Sequence, residues 1–391
     1  MQAVRHTCIF TKNLTGIDID LRAKQLATFA LLLKACQKDS SFADAHCLPH
    51  VISIPEIDKE LIDLDDTRSI AGYLHHFVLG AETKECSEQM TDAIALLKDA
   101  DSLGSIIKFD LSPSTRRQLV EAVDHWKRQE ELPSAIMSGL PMMDFILTLT
   151  DSYDAIVMNP PYMPTSKVEG LKEYAAKNYP DSKTDLFSVF MDVCIDRLKV
   201  CGKYGMVNMQ SWMFLSSFEA LRRKVIDEQH IDSLLHLGPR TFDELSGEVV
   251  QNASFVISKE KPQPEGIYYR LIDGKSCSAK QEIFLSGNNR YGVAYQKQFE
   301  KIPGAPIAYW VSDKICDLFN TRLISNRIED FLKTAKGMST TDNEAFVREW
   351  FEIDSLRFGR NMIDTVQMKT WGIGIYPLNV LRSLPLTLYS T

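Results

Sequence analysis

Asn159-Pro160-Pro161-Tyr162 sets two hydrogen-bond acceptors and an aromatic ring at the end of a short apolar run, Tyr153-Asp154-Ala155-Ile156-Val157-Met158. The run reads as a buried strand and the tetrapeptide as the loop that leaves it. Two successive prolines remove two backbone donors and fix two φ angles, so the chain departs as a stiff, extended corner with outward carbonyls. The Asn159 side-chain oxygen and the Pro160 carbonyl oxygen can then accept both hydrogens of a planar NH2 group. This draws its nitrogen toward sp3 geometry and frees the lone pair for attack. Tyr162 would stack on the ring that bears the amine. A strand-terminating Asn-Pro turn with a packing Tyr would present the same four residues.

The elements that must position this corner alternate between strand and helix patterns, which predicts an α/β fold with helices on the faces of a parallel sheet. Leu14 to Asp18 is a short strand. Leu21 to Lys38 has helical spacing, with Leu26, Ala30 and Leu33 on one side and Phe29 and Leu32 nearby, and Asp20 as its N-cap. Residues 84 to 151 are predominantly helical, with a helix start at Ser112-Pro113-Ser114-Thr115. Beyond the corner come an amphipathic helix from Thr184 to Lys199, a strand within Gly202 to Met209, a basic helix from Phe218 to Glu228 and a strand within Gln251 to Ile257. From Lys259 the composition shifts to Pro262, Pro264, Gly266 and a Gly287-Asn288-Asn289 turn, predicting a boundary between a first region, 1–258, and a second, 259–391.

Composition narrows the classes. The 391 residues, 45% hydrophobic and 25% charged, suffice for one large or two ordinary domains. No apolar run has membrane-spanning length and the N-terminus lacks signal-peptide character, which points to the cytoplasm and no membrane partner. Eight cysteines without a C-x-x-C pair, and no histidine cluster, point to free thiols and no metal. The net charge of −8 is uneven: residues 1–158 carry 15 Lys+Arg against 24 Asp+Glu, the remainder 29 against 28. In the neutral part, Arg222-Arg223-Lys224 and Lys167, Lys172, Lys177 and Lys183 are either DNA-backbone contacts or solvated faces.

The tetrapeptide, with Leu14-Thr15-Gly16-Ile17-Asp18-Ile19-Asp20, Lys183-Thr184-Asp185-Leu186-Phe187 and Gly337-Met338-Ser339-Thr340-Thr341-Asp342-Asn343 in this order, resembles the S-adenosylmethionine-dependent, Rossmann-like DNA methyltransferases that modify adenine N6. Within them it is most similar to the PglX-type enzymes of BREX and phage-growth-limitation defence. The resemblance implies a class I methyltransferase sheet followed by a partial α/β target-recognition region, and double-stranded DNA as partner. It implies catalysis by Asn159, Pro160, Pro161 and Tyr162 on a flipped adenine. Asp18 would accept the ribose hydroxyls of the cofactor, and a third-strand acid, Asp101 or Asp110, would meet its adenine amine, with a solvated surface acid as the alternative for either. Asp185 and Phe187 would wall the cofactor pocket, with a helix cap and a core aromatic as the alternative. Phe255 would be a second face for the base or a core residue. Ser339, Thr340, Asp342 and Asn343 would contact phosphates and base edges, with a plain Ser/Thr/Asn loop as the alternative.

The chain departs from the resembled pattern at its start. The glycine-rich cofactor loop of the family should precede the Asp18 strand, and the 13 residues before Leu14 contain no glycine. The expectation is a fragment or one half of a split enzyme, inactive alone until another chain supplies the first strand. The stretch from Gln367 also departs from the expected recognition domain and suggests truncation. The alternatives are a non-catalytic DNA- or subunit-binding fragment and transfer to another planar amine, of cytosine N4, RNA guanine or protein glutamine.

Overall fold

Strand β1 (Thr15–Asp18) stops where Asp18 accepts a hydrogen bond from the Asp20 N–H at 2.9 Å, and Asp20 in turn caps helix α1 (Leu21–Lys38) by accepting from Arg22 N–H at 2.7 Å. In this computed structural model the described residues are 9–44, 47–55, 84–132, 134–242, 250–260, 265–293 and 295–320. All belong to the first of two units, Met1–Ser325; the second, Asn326–Thr391, lies outside them.

The fold is α/β. β1 pairs in parallel with β2 (His50–Ser53), from Thr15 opposite His50 to Asp18 opposite Ser53. Helices α2 (Lys84–Leu97), α3 (Ala100–Leu103), α4 (Pro113–Lys127) and α5 (Ser134–Leu149) follow. Ser112 caps α4, as its sequence predicts, accepting from Thr115 N–H with Pro113 in the first turn. His50 and Lys127 both reach Asp144 on α5, at 3.2 and 2.9 Å, and hold its carboxyl down at about 2, the His50 hydrogen bond contributing most.

Strand β3 (Tyr153–Met158) opens a six-stranded mixed sheet of order β3-β4-β6-β5-β7-β8. Its other strands are β4 (Leu198–Met209), β5 (His230–Gly238), β6 (Asn252–Ser258), β7 (Gly266–Arg270) and β8 (Arg290–Val293). β3 with β4 and β5 with β7 are parallel, while β6 runs against both β4 and β5. Between strands lie α6 (Leu171–Asn178), α7 (Leu186–Arg197), α8 (Glu219–Glu228) and α9 (Cys277–Ser286), and α10 (Asp313–Asn320) follows the sheet. Among the described residues no helix is long and apolar enough to cross a membrane, and no group of three His, Cys, Asp or Glu could hold a metal ion.

Helix α7 explains how the core is organised. Leu186, Val189 and Val193 pack into an apolar cluster with α2, α4 and α5, whereas Phe187, Met191 and Cys194 join a second cluster with α8 and the sheet. A helix apolar on nearly all sides must sit between two layers, and α7 does. By contrast α1 has no buried residue, and Leu26 and Phe29 of its apolar stripe are 69% and 59% exposed.

Three expectations change. The sheet does not end near Lys259: β7 and β8 extend it, so the expected boundary at 258 falls inside one sheet and the division into units comes after Ser325. Gly266 is a strand residue, since a Cβ there would lie 2.5 Å from the Ile231 carbonyl oxygen; the close approach of β7 to β5 requires glycine. The strand after α1 is β2, four residues long, and Asp101 and Asp110 lie beyond it, on α3 and in the loop before α4, so neither is at a third-strand end.

Candidate active site

Side chains alternate along β3, with Ile156 and Met158 packed on the second core cluster and Val157 on the open face, 85% exposed. The chain then emerges with Asn159 exposed, Pro160 buried, Pro161 exposed and Tyr162 half-buried. Burial of the first proline anchors the corner while Asn159 projects from it. The Tyr162 hydroxyl lies 3.0 Å from the Val207 carbonyl on β4 and 3.2 Å from Asn159 Oδ1, donating its proton between these two acceptors. Its ring stands edge-on to Phe187 at 6.4 Å, and Phe187 rests on Phe218 at 5.2 Å. Burial pushes the Tyr162 hydroxyl above its ordinary pKa, so it stays a donor near neutral pH. The corner therefore offers an oriented carboxamide oxygen beside a braced aromatic ring.

The loop is tied down just beyond Tyr162. Asp185 Oδ1 accepts from Met163 N–H at 3.1 Å and Phe187 N–H at 3.2 Å, Leu186 N–H donates to Met163 O at 2.9 Å, and Thr165 Oγ1 donates to Lys183 O at 2.6 Å. Asp185 and Ser188 form a capping box at the start of α7. Asp185 is thus a cap and loop clamp, and Phe187, 1% exposed, packs in the core. Burial raises the Asp185 carboxyl against the pull of its backbone donors, Phe187 first. Asp185→Ala is expected to cost about 1–2 kcal/mol of stability, measured by urea unfolding, because it removes a cap and a clamp together. An unchanged midpoint would refute the clamp.

Asp18 is exposed at the end of β1. Its neighbour Ile19, with Ile52, Ser53 and Ile54 from the end of β2 and Asp101 from α3, lines a cleft of about 770 Å³. Gly104, at φ +60°, lies beneath Ile54 and Ile19, where a Cβ would touch both. Asp101 in the cleft and Asp18 next to its Ile19 wall offer acceptor oxygens for hydroxyls or an amine, and the aliphatic walls offer flat apolar surface for a base, which fits a nucleoside.

Other expected contacts lie elsewhere. Phe255 is 2% exposed and packs edge-on to Tyr204 and Trp212, so it belongs to the core and offers no face to a base. The Arg222-Arg223-Lys224 run is no basic stripe: Arg222 is buried on backbone carbonyls, Arg223 pairs with Glu219 at 2.8 Å and Lys224 with buried Asp192 at 2.7 Å. Lys167, Lys172, Lys177 and Lys183 are exposed on the segment between the corner and α7. Ser339, Thr340, Asp342 and Asn343 lie outside the described residues. Phe214, His236 and Trp310 gather near the C-terminal ends of β4 and β5 from three distant segments and leave no local pattern in the sequence.

A family model, the Eco57I restriction-modification methylase, matches residues 12–242. Among curated relatives, an adenine-specific methyltransferase PglX of Lacticaseibacillus casei (strain Zhang) is 34% identical over 383 residues, covering 93% of this chain and 30% of its own. An adenine-specific methyltransferase BrxX of Escherichia coli O9:H4 (strain HS) is 33% identical over 369 residues, covering 88% and 30%. The chain spans about 30% of the length of these relatives. Among solved structures it is similar to a DrdV–DNA complex, with TM-score 0.45 and 13% identity, covering 78% of this chain and 26% of that one.

Proposed function

Because the chain belongs to the Eco57I restriction-modification methylase family, we propose that it carries the catalytic corner of a DNA methyltransferase that modifies adenine N6 in phage defence, of the BREX or restriction-modification kind, in the cytoplasm. The observation that carries this reading is the exposed Asn159 carboxamide held beside a half-buried Tyr162 at the end of a parallel strand. S-adenosylmethionine, when bound, supplies a methyl group on a sulfonium. Asn159 Oδ1 and the Pro160 carbonyl accept the amine hydrogens, and the Tyr162 ring stacks on the flipped base, offsetting an unstacking cost of a few kcal/mol. Asp18 and Asp101 would hold the nucleoside part of the cofactor. The exposed lysines 167, 172, 177 and 183 would follow the phosphates.

The same reading includes a further polypeptide segment. Among the described residues β1 pairs only with β2 and β3 only with β4. Open parallel edges beside an exposed Val157 and the apolar stripe of α1 suit one more parallel strand with a covering helix. That strand would bring the glycine-rich cofactor loop.

The test is transfer of radiolabelled methyl groups to DNA, with N6-methyladenine identified by mass spectrometry. Little cofactor binding and no transfer are expected from these 391 residues alone, and both should appear once a polypeptide bearing the glycine-rich strand is added. Tight cofactor binding by the chain alone would overturn the need for that segment. Label on cytosine N4, RNA guanine or protein glutamine would favour another planar amine, and no label under any condition a non-catalytic binding role.

A further inference from the structure

Trp310 is 39% exposed although it is held from several sides. Tyr309 meets it edge-on at 4.9 Å, Phe214 lies at 5.7 Å and the His236 ring at 6.0 Å with a 33° tilt, and the Arg270 guanidinium sits 5.9 Å from its centroid. Beneath it, His236 Nε2 lies 2.7 Å from Gln210 Oε1 and Nδ1 3.1 Å from the Tyr309 hydroxyl. An amide oxygen only accepts, so Nε2 carries the proton and Nδ1 accepts from Tyr309. Burial, helped by Arg270 and Lys280, brings the His236 pKa down to about 4, so this neutral tautomer persists at working pH. The bulk of the cluster is buried and satisfied; the exposed indole is its tip.

The cluster shares an edge with the catalytic corner. β3, β4, β5 and β7 all run in one direction, so Asn159, Gln210, His236 and Arg270 stand together at their C-terminal ends. β5 and β7 are three and four positions from β3 in the sheet. At about 4.8 Å per strand this puts the cluster roughly 14–19 Å from the corner, or about four to six nucleotides at about 3.4 Å each.

We propose that Trp310, flanked by Phe214 and Arg270, is a stacking platform for an unpaired nucleobase of the DNA whose target amine Asn159 receives, several nucleotides from that target. An indole face takes any base, and a neighbouring guanidinium adds cation–π and phosphate attraction. Arg270 also lies 3.7 Å from Asp273, a loose pair that leaves the guanidinium able to serve a phosphate. Because neighbouring rings fix the indole before binding, little rotamer freedom is lost on stacking. The platform rests on the reading that this sheet edge handles DNA, but needs neither cofactor nor methyl transfer.

The experiment is fluorescence anisotropy of two labelled duplexes with this chain, one fully paired and one with a single unpaired thymine, without cofactor. Trp310→Ala should weaken binding of the unpaired-base duplex about 5- to 100-fold and that of the paired duplex far less, whereas Trp310→Phe retains most of the affinity. Indole emission that is quenched by the unpaired-base duplex should lose this response in Trp310→Phe. Equal affinity of wild type and Trp310→Ala, equal loss on both duplexes, or no binding of either duplex would each overturn the platform. Methyl transfer with an unchanged anisotropy profile in Trp310→Ala would sink the platform while sparing the catalytic corner.

Discussion

Asn159→Ala is expected to lower methyl transfer by about 100- to 1,000-fold at saturating cofactor and DNA, in the assembly that has the glycine-rich strand. The expectation follows from where the side chain stands. Its Oδ1 lies 3.2 Å from a hydroxyl that is itself anchored on Val207, the Tyr162 ring is braced by Phe187, and Phe187 by Phe218. The oxygen is therefore oriented before the amine arrives, and alanine removes an acceptor whose reorganisation was already complete. Asn159→Ser keeps an acceptor on a shorter arm and should fall between alanine and wild type. Since Asn159 is exposed, its replacement should leave unfolding midpoints nearly unchanged. The loss should also lie in single-turnover rate and not in DNA affinity, because the amine hydrogen bonds strengthen as the nitrogen becomes tetrahedral. A variant that transfers methyl groups within a few fold of wild type would remove Asn159 from the chemistry.

What could be read from the residues were features that a few neighbours decide. An apolar run stopped by Asn-Pro-Pro defines β3 and its corner, and Asp20 and Ser112 announce α1 and α4 because capping is a contact within four residues. Features decided across the sheet were not legible. β2 has four residues and no periodicity to detect, so the strand whose end lies beside Asp101 left no local signal. Gly266 resembled a linker residue, but its reason is the Ile231 carbonyl on a neighbouring strand. Phe255 and Phe187 each had a ligand-facing and a core reading, and packing against Trp212 and Phe218 places both in the core. The run Arg222-Arg223-Lys224 carries the same formal charge whether solvated or buried, and sequence does not state partners.

That run yields the largest expected change in stability. Arg222, 1% exposed, donates to four backbone carbonyls: Trp212 at 2.8 Å and Leu215 at 2.6 Å on one side, and Gly304 at 2.7 Å and Ala305 at 3.2 Å on the other. Burial lowers its pKa, a sign that the cation is held at a solvation cost, which the four acceptors offset. Arg222→Met keeps the apolar stem but removes the guanidinium from all four carbonyls, of which only Leu215 keeps a backbone donor, Phe218 N–H, for an expected loss of roughly 3–5 kcal/mol in urea unfolding. Lysine cannot reproduce the fork and should recover only part of this. The bonds also secure an unfavourable turn: Ala305 has φ +46°, a left-handed conformation that costs a non-glycine residue about 1–2 kcal/mol. Ala305→Gly should therefore be neutral or stabilising, while the same change of residue type at a relaxed position would destabilise. Five residues further on stands Trp310, so loosening this latch should also weaken binding of the unpaired-base duplex at temperatures where the chain remains folded. Arg223→Ala provides the contrast: it breaks only an exposed pair with Glu219 and should shift stability by no more than about 1 kcal/mol. If Arg222→Met and Arg223→Ala unfold at the same urea concentration, the four-carbonyl latch is not what joins the segment before Trp310 to α8.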